Sequence, residues 1–195
     1  DVPAVISSWE NVDFNSSPEF NLHPDLVNVT RTDGTDYMVT VYEFVSGTNS
    51  RVAMRKREGD TWGAESIITV ESGYVAGRYK HPSILVLPTG RLLVFYWVYD
   101  HLNSIAQIQM QYSNDEGASW TIGADYTLPD QISTVTRTPG RIRCGYKDGQ
   151  ILILTQVKDS STARPDLILQ YGSDDLGTSF LLVFEMAGDI PTNTG

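Results

Sequence analysis

A turn that recurs along the chain at nearly constant spacing limits what it can fold into more than any other feature. Ser113-Asn114-Asp115-Glu116-Gly117-Ala118-Ser119-Trp120 has the pattern Ser-x-Asp-x-Gly-x-x-Trp, with β-prone residues on both sides. Ser113 and Asp115 can accept hydrogen bonds from nearby backbone N–H groups, and Gly117 supplies the positive φ of a tight turn. Trp120 then opens the return strand with a large apolar face. Ser173-Asp174-Asp175-Leu176-Gly177-Thr178-Ser179-Phe180 repeats the octet, keeping Ser173, Asp175 and Gly177 and placing Phe180 where Trp stood. Arg57-Glu58-Gly59-Asp60-Thr61-Trp62 is a shortened copy. The aromatic marks at 62, 120 and 180 recur roughly every 60 residues. Two further marks keep the same order: Asp33-Gly34, Thr89-Gly90 and Asp148-Gly149, and the prolines of His23-Pro24, His81-Pro82 and Thr138-Pro139. Three marks in fixed order make an internal repeat.

Each unit reads as four short strands. In the second, Ser83 to Leu87, Leu92 to Trp97, Ile105 to Tyr112 and Trp120 to Leu128 follow one another with turn residues between them. Leu92-Leu93-Val94-Phe95-Tyr96-Trp97 is apolar on both faces, as expected of a strand in the middle of stacked sheets. No stretch holds a helical period. The expected fold is all-β, with three four-stranded antiparallel propeller blades at about residues 22–71, 80–129 and 138–187. Residues 1–21 form an N-terminal extended segment and 22–195 the three-blade segment. Trp62, Trp120 and Phe180 are expected to pack at equivalent places. A β-sandwich is the alternative, but nothing in it requires the same turn in every unit. Three blades are fewer than a closed ring needs, so either this is a piece of a longer protein or two copies complete the ring. The first is favoured, because bare blade edges are a pairing hazard.

Composition narrows the partners. A formal charge of −10 over 195 residues lacks the basic footprint of a nucleic-acid binder and argues against it. No apolar run approaches membrane-spanning length, so no membrane insertion is expected, and Asp1-Val2-Pro3 shows no signal-peptide pattern. The single cysteine, Cys144, forms no intrachain disulfide and reads as a buried strand thiol. Asn15-Ser16-Ser17 and Asn28-Val29-Thr30 match the glycosylation triplet. Nucleophile-elbow, Walker A, dinucleotide and zinc-protease signatures are absent, and the acids of the octets lack the spacing of a calcium loop. The histidines, His23, His81 and His101, are too dispersed along the chain to suggest a metal site, so no metal or cofactor is expected.

The octets resemble the Asp-box, or BNR repeat, of the sialidase-like β-propellers, and the resemblance runs from residue 22 onward. It implies a six-bladed ring as the whole, with Ser113, Asp115, Gly117, Trp120, Ser173, Asp175, Gly177 and Phe180 as structural turn residues. Members of this family that are sialidases grip the substrate carboxylate with arginines near the central axis, the first in an Arg-Ile-Pro sequence opening a blade. A guanidinium fork suits a carboxylate because it donates two parallel hydrogen bonds. The matching places here are Leu22-His23-Pro24, Lys80-His81-Pro82 and Arg137-Thr138-Pro139, of which only the last keeps the arginine. Arg137 is therefore the expected ligand-binding residue, helped by Arg78 and Arg141, with Tyr79 as a stacking surface. The plainer reading of these arginines is as solvated blade-edge charges.

The family's catalytic tyrosine and glutamate come from later blades, so the catalytic residues are unknown here; Asp100 reads as a loop residue. Because two of the three openings have lost the arginine, the expectation is a non-catalytic segment for recognition of an acidic glycan or for assembly, in a secreted or virion-surface protein, with further blades or another subunit beside it. The alternative is a fragment of an exo-sialidase or related glycoside hydrolase.

Overall fold

The computed structural model describes residues 20–46, 49–69, 78–100, 103–127, 132–134, 137–159, 166–173 and 181–188. The N-terminal segment before residue 20, His101, and the second octet beyond Ser173 lie outside them. The first blade comprises β1 (Phe20–Thr30), β2 (Asp36–Ser46) and β3 (Asn49–Glu58), with a fourth strand in two pieces, β4 (Thr61–Trp62) and β5 (Ser66–Ile67). The second comprises β6 (Arg78–Val86), β7 (Leu92–Asp100), β8 (Ile105–Ser113) and β9 (Thr121–Thr127), and the two-residue β10 (Ile132–Ser133) also pairs with β8. The third runs β11 (Arg137–Lys147), β12 (Gln150–Asp159), β13 (Asp166–Ser173) and β14 (Leu181–Gly188). Within each blade successive strands pair antiparallel. These are the expected propeller blades, and no helix occurs among the described residues.

Local chemistry sets the hairpins. Gly34, Gly90 and Gly149 have φ of 82°, 84° and 86° at the turns between the first and second strands of the three blades. At the third, Asp148 (φ 52°) and Gly149 form a two-residue loop between the paired Lys147 and Gln150, with positive φ at both positions as a type I′ turn requires.

The blades stack face to face, and β7 shows why its sequence is apolar throughout. Leu92, Val94, Tyr96 and Val98 join Val39, Val41, Val52 and Met54 of the first blade in one core cluster. Leu93, Phe95, Trp97 and Tyr99 join Ile142, Ile151, Ile153 and Tyr171 of the third blade in another. Each such side chain, fully buried, contributes about 1.5–3 kcal/mol. On β12 the alternation shows one covered face only: Ile151 and Ile153 are fully buried, whereas Leu152 and Leu154 are 38% and 45% exposed.

The octet at 113–120 closes on itself as a turn. Ser113 Oγ accepts from the Gly117 N–H at 2.8 Å and donates to Asp115 Oδ1 at 2.7 Å, and Asp115 Oδ1 accepts from the Ser119 N–H at 2.8 Å. Bonds from Ser119 and Ser113 hold the Asp115 carboxyl down to about 2. Glu116 and Gly117 both have positive φ, 57° and 87°. The turn leans on the first blade: Gly117 faces the Met54 thioether, Trp120 packs against the cluster shared by the first two blades, and Arg31 grips Glu116 with two bonds of 2.6 Å.

Two expectations need correction. Trp62 is not packed as Trp120 is: it is half-buried, beneath the Arg57 guanidinium at 6.0 Å, and belongs to neither core cluster. The reason is that the turn of one blade packs on the third strand of the blade before it, and no blade precedes the first among the described residues. The proline marks are also not all equivalent. Each first strand carries a bulge, between Leu22 and Asp25, Lys80 and Ser83, and Pro139 and Ile142. His23-Pro24 and His81-Pro82 occupy the first two bulges, but Gly140-Arg141 occupies the third, and Pro139 precedes it, paired with Val157.

Candidate functional site

The first strands of successive blades lie side by side, β1 against β6 and β6 against β11. Their bulges therefore converge at one end of the blades, opposite the end that carries the octet turns. A bulge adds unpaired residues to a strand and re-aims their side chains. In β1 and β6 these residues are histidines with left-handed backbones, His23 at φ 54° and His81 at φ 53°. Positive φ is uncommon for a residue other than glycine and costs on the order of 1–3 kcal/mol. The same uncommon conformation is kept at equivalent positions of adjacent blades.

The two imidazoles meet edge to face, with ring centroids 4.2 Å apart. His23 Nδ1 lies 3.3 Å from Oε2 of Glu43, a β2 carboxylate whose residue is only 3% exposed. Nδ1 of His81 is buried and has no hydrogen-bond partner among the described residues. Burial pushes the His81 imidazole down to about 4, with His23, Lys80 and Arg141 adding to the effect, so it is neutral at neutral pH. A narrow cleft opens here, with an enclosed volume of only about 10 Å³, lined by His23, Pro24, His81, Pro82, Arg141, Ile142 and Arg143. Beside it the Lys80 ammonium sits 5.3 Å over the ring of Tyr99.

Behind the bulges a polar relay ties the three first strands together. Asp25 Oδ2 accepts from Ser83 Oγ at 2.6 Å and from the Ile84 N–H at 3.1 Å. Ser83 Oγ in turn accepts from the Cys144 N–H at 3.3 Å and lies 3.2 Å from its thiol. Burial pushes that thiol up to about 12, in keeping with an inert strand cysteine. On the far side, Trp97 Nε1 donates to the Gly140 carbonyl at 3.0 Å, fixing the third bulge against the second blade. Gly140 is required there, because a Cβ would come within 2.8 Å of the Gln156 carbonyl oxygen.

Of the residues expected from the sequence, Arg141 is exposed and stands at the cleft. Arg137 and Arg78 begin β11 and β6 and hold the same register, opposite Asp159 and Tyr99. Arg137 is thus the counterpart of Arg78, not of Lys80, and the placement of both side chains lies outside what the structure describes. Tyr79, expected as a stacking surface, is instead 5% exposed and meets Tyr96 edge-on at 5.7 Å. Its side of β6 faces the core between the first two blades. Asp175, Gly177 and Phe180 lie outside the described residues, and Ser173 is buried at the end of β13. The sequence reading missed His23, His81 and Glu43. Two of the three were signalled, because His23 and His81 stand at the same mark of the repeat and a propeller superposes such marks. Nothing signalled Glu43.

A wider groove lies at the opposite end, lined by Met54, Lys56, Glu58, Thr61, Glu116 and Gly117 among others. Its charged groups are engaged with one another: Lys56 bridges Glu58 at 3.2 Å and Glu116 at 3.3 Å, and Arg31 reaches both acids. That network fastens the turn.

No protein-family model matches the chain. No curated protein matches it. Among solved structures it is similar to an α-L-arabinanase from Penicillium chrysogenum complexed with arabinobiose, with a TM-score of 0.65 and 17% identity over 89% of this chain and 51% of that one. It is similar to an α-L-arabinofuranosidase from Fusarium graminearum in complex with an iminosugar inhibitor, with a TM-score of 0.64 and 14% identity over 86% of this chain and 50% of that one. A sialidase from Trypanosoma rangeli, complexed with 2,3-difluorosialic acid, gives a TM-score of 0.56 and 12% identity over 86% of this chain and 28% of that one. The chain spans about half the length of the first two. At these identities the similarity establishes the fold alone, an all-β arrangement of stacked propeller blades.

Proposed function

We propose that this chain is a three-blade segment of a glycan-recognising propeller of the sialidase-like, Asp-box type, and that the bulge end of its first strands takes an acidic sugar. The observation that carries the reading is the meeting of cationic and imidazole groups from three blades, Arg141, Lys80, His23 and His81, around one cleft. A carboxylate is the natural guest of a guanidinium fork. Arg78 and Arg137 stand in equivalent register at the start of neighbouring first strands, at the same end of the blades. The sugar complexes of similarly folded proteins support the glycan half of this reading. The second half, recognition without catalysis, rests on the loss of the arginine at two of the three blade openings, where Leu22 and Lys80 stand. The alternative, a piece of a glycoside hydrolase, is favoured by the names of the similar structures, which are an arabinanase, an arabinofuranosidase and a sialidase. The open face of Leu152 and Leu154 suits a further blade or another subunit.

Calorimetric titration with a sialylated trisaccharide tests the proposal. Arg137→Ala and Arg141→Ala should each weaken binding about tenfold to a hundredfold, the worth of a charge-assisted contact of roughly 1–3 kcal/mol, with little change in melting temperature. Equal binding by both variants, or none by the unaltered chain, refutes it. Release of free sugar by the unaltered chain selects the hydrolase reading.

A further inference from the structure

We propose that His23, Glu43 and His81 form a binding site for one divalent transition-metal ion of the zinc class, held between the first two blades. The three side chains each offer one ligand atom, and these atoms all lie within 4.8 Å of one another. Two imidazoles and a carboxylate are a donor set that suits zinc and its neighbours. Bonds of about 2.0–2.1 Å in a tetrahedral site put ligand atoms roughly 3.3 Å apart. His23 Nδ1 and Glu43 Oε2 already stand at 3.3 Å, and the ligand nitrogen of His81 lies within 4.8 Å of both, so closing the site requires His81 to approach them.

Three features single this cluster out from an ordinary histidine–glutamate hydrogen bond. A hydrogen bond to Glu43 accounts for His23 but not for His81, whose buried Nδ1 has no partner among the described residues. The left-handed backbone is held at both histidines, on separate strands, where a simple pair would need it at one. Glu43 is itself buried with Oε2 facing His23 Nδ1, so two of the three ligand atoms are held together before any ion binds. Lys80 and Arg141 stand near the site and disfavour a cation there, and the carboxylate ligand that offsets them is Glu43. Three protein ligands leave a fourth position, which opens on the cleft beside Arg141 and Arg143.

The site is tested without any sugar, so its failure is distinct from failure of the glycan reading. The full chain, stripped of metal, is titrated with Co²⁺ and followed by visible absorption, then with Zn²⁺ by calorimetry. One equivalent should bind, with the intense visible bands of a four-coordinate cobalt centre, and Zn²⁺ should displace it. His81→Gln and Glu43→Gln should each lose at least tenfold in affinity, whereas His101→Gln should bind as the unaltered chain does. Zn²⁺ should raise the melting temperature of the unaltered chain more than that of either ligand variant. Should a variant fail to fold, imidazole NMR of the unaltered chain decides the matter: Zn²⁺ should shift the ring signals of His23 and His81 and leave those of His101. Absence of saturable one-equivalent binding, binding indifferent to both substitutions, or a response at His101 alone overturns the proposal.

Discussion

Replacing Gly117 by alanine probes the contact on which the first two blades are stacked. Gly117 has φ +87°, and a Cβ built there would lie 2.8 Å from both Cε and Sδ of Met54 and 3.7 Å from Cζ2 of Trp120. Alanine therefore incurs two costs. Left-handed backbone costs about 1–2 kcal/mol for a residue with a Cβ. Displacing Met54, which is 4% exposed in the shared core, adds overpacking of about 1–2 kcal/mol, the lower part of the usual range because a thioether end is flexible. The total is roughly 2–4 kcal/mol. Gly90 supplies the control: its φ is +84°, and a Cβ there meets nothing within 4 Å. Gly90→Ala should cost the backbone share alone, about 1–2 kcal/mol. Equilibrium urea unfolding measures both, and a double-mutant cycle of Gly117→Ala with Met54→Ala should return a coupling of about 1–2 kcal/mol. Equal losses for the two glycines, with no coupling to Met54, would refute the inter-blade contact.

Other outcomes follow from the same structure. Cys144 should resist a disulfide reagent at pH 8 in the folded chain and react fully once unfolded, because burial pushes its thiol up to about 12; rapid labelling of the folded chain would contradict the relay through Ser83. The Asp115 carboxyl is held down to about 2, so its stabilising share is complete above the ordinary aspartate range and fades as pH falls from about 4 toward 2. Urea midpoints of the unaltered chain and Asp115→Asn should therefore converge over that interval, and a constant gap would sink the assignment. Trp97→Phe removes the donor to the Gly140 carbonyl and should cost about 1–3 kcal/mol in urea unfolding; an unchanged midpoint would show that this bond does not secure the third bulge.

The sequence carried the blades but not the place where they converge. Turn glycines at 34, 90 and 149, the 113–120 octet and the all-apolar β7 are local signals, each readable because one stretch of chain dictates its own turn or its own two-sided burial. The third unit's proline misled, since a bulge is placed by strand pairing: Pro139 pairs with Val157, and Gly140-Arg141 fill the position held elsewhere by His-Pro. The first blade's fourth strand, one strand by the repeat, is broken into β4 and β5. Tyr79 was misassigned because which face of β6 looks inward depends on its neighbour across the interface, here Tyr96. Glu43 carries no mark at all. It is one acid within an apolar strand, and only the packing of β1, β2 and β6 brings it to His23 and His81.

The most direct test of a sugar site at the bulge end is chemical-shift mapping of the isotope-labelled chain during titration with sialyllactose, with lactose as the uncharged reference. The account predicts shifts at residues 78–82 and 137–143 and at the rings of His23 and His81 with the acidic sugar, and little response to lactose. Shifts confined to the groove around Met54, Glu58 and Gly117, or none with either sugar, would contradict it.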